Sequence, residues 1–227
     1  MKLRSRTMKL YTSEYSSSNS EGRKNLRMKF MMKKSIITLF LSVLCLTGFG
    51  QAEPRVGIKF GYSRTRGSAS GDGTNNVEYS AGNGASVGIF RDFKLGNSIG
   101  LESGLIFDHY QTNYFVPFVE AKDMFSYLSI PVILQFQTSS TFNINTGPQL
   151  GILVAAKAKS GSQEEDVKEF TKGSMINWAV GIEFNTKANL DFGFRYLVGL
   201  TDINDAKDII NATYKLNTLQ VYLGCRL

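Results

Sequence analysis

The sequence predicts an all-β protein: an eight-stranded antiparallel up-and-down transmembrane β-barrel preceded by a signal peptide. Three observations predict it. A basic cluster followed by a short apolar run lies well before Arg55. From Arg55 onward, apolar residues alternate with small or polar ones in eight separate segments. The connections between those segments alternate in length.

The leader comes first. Met32-Lys33-Lys34, the apolar run Ile36 to Leu46 and the exit Gly48-Phe49-Gly50-Gln51-Ala52 follow the order of a secretory signal over residues 32–51. The run is too short for a transmembrane helix, which needs about 20 apolar residues. Cys45 does not suit a lipoprotein anchor, because Leu44 stands where a small residue belongs and the apolar run continues beyond it. Residues 1–31, with Ser16-Ser17-Ser18-Asn19-Ser20, are expected to be a disordered extension or one that precedes the true start at Met28, Met31 or Met32.

This leader also explains the charge. Residues 1–51 hold 10 of the 26 Lys and Arg but only Glu14 and Glu21 among the acids, so the remainder carries 16 basic and 17 acidic residues. A nucleic-acid surface is therefore not expected. With Cys45 removed, Cys225 is the single cysteine, and no internal disulfide can form.

The domain over 52–227 reads as strands near 55–63, 83–91, 98–110, 125–137, 141–157, 174–184, 189–200 and 215–227. The connections 64–82, 111–124, 158–173 and 201–214 are long, whereas 92–97, 138–140 and 185–188 are short. All long loops then fall at one end, as in transmembrane barrels with short periplasmic turns and long extracellular loops.

Volume decides which face meets lipid. One register holds Val56, Ile58, Phe60, Tyr62, Leu128, Ile130, Val132, Leu134, Phe136, Ile176, Trp178, Val180, Ile182, Phe184, Leu190, Phe192, Phe194 and Tyr196. An eight-stranded interior is only just filled by side chains, so these groups belong outside. The opposite register holds 11 of the 22 glycines together with Gln149, Arg195 and Tyr222. A soluble barrel would place Lys, Glu and Thr there. Two aromatic girdles are expected, with Phe93, Phe136, Phe142, Phe184 and Phe192 on the turn side and Tyr62, Phe107, Tyr110, Tyr114 and Tyr127 on the loop side.

The inward register also carries Lys59, Glu102, Glu183, Asp191, Arg195 and Arg226. Charges of both signs in a narrow lumen must pair, so a salt-bridge plug is expected. Register across the turn at 138–140 sets Phe136 opposite Phe142 and Pro131 opposite Gly147, beside Pro148, with a bulge or missing ladder bonds there. The lone His109, next to Asp108 and Tyr110, lacks an assignable nucleophile or oxyanion donor. Asp202, Asn204, Asp205 and Asp208 do not follow a calcium-loop pattern, and Glu164-Glu165-Asp166 reads as solvated loop. No catalytic or metal residue and no cofactor are assigned.

Three local motifs carry a resemblance. Tyr127-Leu128-Ser129-Ile130-Pro131, Gly147-Pro148-Gln149-Leu150-Gly151, and Arg195-Tyr196 with Gly199-Leu200-Thr201-Asp202-Ile203 resemble the outer-membrane β-barrel domain family of Bacteroidetes called PorT-like, similar in architecture to small OmpA- and OmpX-type barrels. The resemblance implies a barrel in the bacterial outer membrane, contacting lipid and envelope or secretion proteins; a monomer is expected, and no enzyme, for want of an assignable site. It implies an accessory role in secretion or envelope assembly as the alternative to the structural or extracellular interaction role that the four long loops themselves point to; a narrow passive pore, disfavoured by eight strands and the charged plug, ranks third. One departure is the ending Gly224-Cys225-Arg226-Leu227, where such barrels commonly carry a terminal aromatic residue.

Overall fold

The computed structural model describes residues 55–71, 78–116, 119–206 and 212–227, apart from the side chains of residues 116, 119 and 120. The expected signal peptide and the extension before it lie outside these residues. The strands are β1 (Arg55–Gly71), β2 (Glu78–Lys94), β3 (Ile99–Val116), β4 (Val119–Gln137), β5 (Phe142–Ser160), β6 (Gln163–Asp166), β7 (Ser174–Asn185), β8 (Leu190–Gly199) and β9 (Ala212–Arg226).

Eight of them form the expected closed ring. Each barrel strand is antiparallel to its neighbours, and β1 pairs with β9 while β4 pairs with β5, so the sheet has no free edge around its circumference. The short β6 is additional. It folds back on β5 alone, from Lys157↔Asp166 to Ser160↔Gln163, and its own outer edge is guarded by the acidic run Glu164-Glu165-Asp166.

The apolar register faces outward, as its volume requires. Phe60, Trp178, Phe194 and Leu219 are all exposed. On β4 the outward apolar residues run from Leu128 to Phe136, nine residues or about 30 Å of strand, which at the usual barrel tilt gives a band near 25 Å tall. Arg64 on β1, Asn83 on β2 and Asn217 on β9 mark its upper limit, and the turns 95–98, 138–141 and 186–189 lie below it.

Strand extent is the main departure from expectation. The described parts of the segments 64–82 and 111–124 are strand rather than loop: β1 continues to Gly71, β2 begins at Glu78, β3 reaches Val116 and β4 begins at Val119. These stretches lack an apolar face, so they read as loop by composition. They are nonetheless rich in Thr, Tyr and Ser, which fit a pleated strand, and pairing with neighbours satisfies their backbone. The barrel wall therefore rises past the apolar band on β1 to β5 and β9, whereas β7 and β8 have only 12 and 10 residues.

The upper edge of β9, where β8 has ended, is closed by the following connection. Ile203 N donates to Tyr214 O (2.8 Å), Asn204 Nδ2 to Ala212 O (2.7 Å), and Tyr214 N donates to the Asp202 carboxylate (2.8 Å). Asp202 thus stands in for a missing strand.

Two register expectations are corrected. Pro131 lies opposite Gln149, not Gly147, and Phe136 opposite Ile144, because the turn at 138–141 is longer than the sequence suggested. The expected ladder gaps are present: β4 pairs with β5 at Pro131 and next at Leu134, and with β3 at Val132 and next at Ser129. Proline has no N–H to give.

The turn-side girdle is formed, with Phe142 and Phe184 paired across strands at 5.1 Å between ring centres. On the loop side, Tyr62 and Phe107 face lipid, but Tyr110, Tyr114 and Tyr127 point inward. Tyr110 shares the even register of Glu102 on β3, and Tyr127 the odd register of Pro131 on β4; alternation overrules position along the strand.

Candidate functional site

The lumen is filled at three levels. At the periplasmic end, strand alternation turns Lys59, Glu102, Glu183, Asp191, Arg195 and Arg226 inward, all of them buried. Glu102 on β3 accepts from Lys59 Nζ (2.7 Å), Arg195 Nη2 (3.2 Å) and Gln135 Nε2 (3.1 Å). Arg226 gathers three carboxylates: Asp92 (2.8 Å), Glu183 (3.3 Å) and, most closely, Asp191. Glu183 links the two groups, lying 3.8 Å from Lys59 and accepting from the Tyr222 hydroxyl (2.9 Å).

Aromatic faces complete the pairing. The Lys59 ammonium sits 4.6 Å from the centre of the Phe90 ring and 4.3 Å from that of Tyr222, and the Arg195 guanidinium 4.9 Å from Tyr222. Such contacts stabilise desolvated cations. Tyr222 fits because Gly193 on β8 has no side chain, since a Cβ there would lie within the ring.

At mid-height, Asp108 is fully buried and accepts from Gln149 Nε2 (2.9 Å). The buried side chains also form an apolar core of Tyr110, Phe125, Tyr127, Ile133, Leu153, Ala156, Met175, Ala179, Leu197, Ile203 and Leu216, which reaches down to Ile133 opposite Glu102. The sequence reading anticipated the ionic layer but missed Asp92, Asp108 and this core. The signal was present: Ile133, Leu153, Met175, Leu197 and Leu216 occupy the register of the inward charges.

The three motifs scatter over these levels. Tyr127 and Arg195 belong to the lumen, Pro131 interrupts the ladders, and Leu128, Ile130, Tyr196 and Leu200 face outward. Gly147 lets β5 approach the Val132 carbonyl, while Pro148 pairs with Trp178. Gly199 N donates to Asn217 (3.2 Å), and Asp202 also holds Lys172 (3.3 Å). His109 faces outward and bonds Ser126 (3.1 Å), so Asp108, on the other face of β3, does not orient it. Among the described residues no group of three or more His, Cys, Asp or Glu could hold a metal ion.

Above the apolar band the interior is different. Tyr79, Tyr114, Tyr214 and Asp123 line an extracellular vestibule, each partly exposed, over the buried Phe125. Tyr214 also exchanges a hydrogen bond with Thr112 (2.8 Å). Burial pushes the Asp123 carboxyl up to about 6, opposed by a hydrogen bond from Tyr214, and pushes the Tyr114 phenol up to about 12.

A closed antiparallel ring with a lipid-facing apolar band, an aromatic girdle and short turns at one end defines a transmembrane barrel of the bacterial outer membrane. The chain belongs to the outer membrane protein beta-barrel domain family, whose profile matches residues 49–205. Among solved structures it is similar to Ail, the attachment invasion locus protein of Yersinia pestis, at 19% identity and a TM-score of 0.43, covering 78% of this chain and 100% of that one. It is similar also to Neisserial surface protein A at 15% identity, TM-score 0.48, with 76% and 97% covered, and to OprG from Pseudomonas aeruginosa at 13% identity, TM-score 0.38, with 78% and 98% covered. No curated protein matches it.

Proposed function

We propose that the protein is a sealed, monomeric membrane anchor that holds a strand-built protrusion outside the cell for contact with other molecules. One observation carries this reading: six strands continue past the apolar band while the lumen beneath them is occupied by an ionic layer and an apolar core. A wall hydrogen-bonded on both sides is a rigid platform, unlike the long loops expected from composition. The interaction role thus moves from loop tips to the protrusion. Crosslinking in native outer membrane followed by purification tests it, with specific partners captured through β1–β5 expected and an empty capture against the reading.

The local motifs favour a second reading, a PorT-like accessory of protein secretion or envelope assembly. Crosslinks from the turns 95–98, 138–141 and 186–189 to periplasmic components would select it over the first. A narrow pore is disfavoured by the filled lumen. We also propose that the barrel is not catalytic, since His109 and Asp108 stand on opposite faces of the wall.

A further inference from the structure

Among the described residues, the vestibule contains a carboxylate whose surroundings are all neutral. Asp123 on β4 faces Tyr79 on β2, Tyr114 on β3 and Tyr214 on β9, and among the described residues it takes part in no ion pair. The rings form a continuous chain: Phe125 to Tyr214 at 6.4 Å, Tyr214 to Tyr79 at 5.7 Å and Tyr79 to Tyr114 at 6.2 Å, all mutually tilted. The wall between them is built from Gly67, Ala69, Ala81, Ala121, Ala158 and Ala212, so the tyrosines stand above a floor of short side chains.

The contrast with the periplasmic end is informative. There every buried carboxylate of the network has Lys59, Arg195 or Arg226 against it, and the cations Lys59 and Arg195 also rest on aromatic faces. The vestibule repeats the acceptor half of that arrangement, a carboxylate with aromatic faces, and among the described residues leaves out the cation. Removing a carboxylate from water without a counter-charge is unfavourable, and the missing charge is of a kind an external ligand can bring.

We propose that this vestibule binds an alkylammonium group, with Asp123 as its counter-ion and Tyr79, Tyr114 and Tyr214 supplying π faces. A divalent metal suits the site poorly, because it takes several oxygen ligands and Asp123 is the only carboxylate facing the vestibule among the described residues. A phosphate or sulfate is repelled by the same carboxylate. This assignment goes beyond the interaction role proposed above and stands or falls without it.

The test uses the full-length chain in detergent micelles with ring-labelled tyrosine, titrated with tetramethylammonium or n-butylammonium and followed by NMR. Saturable shifts confined to the vestibule tyrosines are expected, with a Kd of about 1 mM. Asp123→Asn, nearly isosteric, weakens binding at least about tenfold, and Tyr79→Leu and Tyr114→Leu each weaken it several-fold, as the loss of one ion pair or one π face implies. Sodium chloride at matched ionic strength produces no such shifts. Absence of saturation, equal binding by Asp123→Asn, tyrosine variants without effect, or the same response to sodium would each overturn the assignment. Retention of the wild-type shifts for tyrosines outside the vestibule establishes that each variant is folded.

Discussion

Replacing Glu102 with glutamine keeps the shape of the side chain and removes one charge from the middle of the ionic layer. The carboxylate is fully buried and takes hydrogen bonds from Lys59, Arg195 and Gln135. Among the described residues Glu102 is the only carboxylate in direct contact with Arg195, whereas Lys59 retains Glu183 at 3.8 Å. The variant thus leaves one buried guanidinium without a counter-ion, and breaking a buried pair in this way costs about 3–5 kcal/mol. Equilibrium unfolding by guanidinium in lipid vesicles measures it. Adding Arg195→Met to Glu102→Gln should recover most of the loss, because the unpaired guanidinium is removed while Lys59 keeps Glu183. A Glu102→Gln variant within about 0.5 kcal/mol of the parent would refute the ionic layer as drawn.

Other outcomes follow from individual contacts. Gly193→Ala drives a methyl into the Tyr222 ring and should destabilise the barrel by about 1–3 kcal/mol in the same assay. Asp202→Ala removes the acceptor for the Tyr214 and Asn204 amides and should speed hydrogen exchange at Tyr214 by roughly tenfold, equivalent to about 1–1.5 kcal/mol, while exchange at Tyr222 stays unchanged. The Asp123 carboxyl titrates near 6 when folded, above its ordinary value of 3.8. Folding therefore favours its protonated form, and the added stability is present at low pH and lost as pH rises through about 6. The groups facing it, Tyr79, Tyr114 and Tyr214, stay neutral across that range. Amide exchange at the β3–β4 tip should be slower at pH 5 than at pH 7 after correction for intrinsic rates, by no more than the roughly 3 kcal/mol that two pKa units represent, and Asp123→Asn should abolish the difference.

How far the sequence reaches is clearest at particular residues. Period-two alternation placed Phe60, Trp178 and Phe194 outside and Lys59, Glu102 and Arg195 inside, because one face of each strand meets hydrocarbon and the other a lumen that tolerates charge only in pairs. The same rule would have turned Tyr110 and Tyr127 inward. They were assigned to a girdle by their height on the strand, which carries no information about face. Strand length was legible only where lipid imposes a pattern; past the apolar band, Thr65 to Ser70 and Thr112 to Phe115 meet water on their outer side, so composition resembles loop although pairing continues. The ring of Asp123 with three tyrosines was not legible at all. Its members come from four strands, and only the bulge between Ala81 and Ala85 turns Tyr79 to the inner face.

The central claim, a barrel whose outer register meets lipid and whose lumen is filled, is tested most directly by a spin-label scan along β8 in reconstituted vesicles with Cys45 and Cys225 replaced by alanine. Labels at positions 192, 194, 196 and 198 should be accessible to oxygen and shielded from a water-soluble nickel reagent, while those at 193, 195 and 197 are shielded from both or prevent folding. Access of the nickel reagent to the even positions, or loss of the two-residue period, would contradict the account.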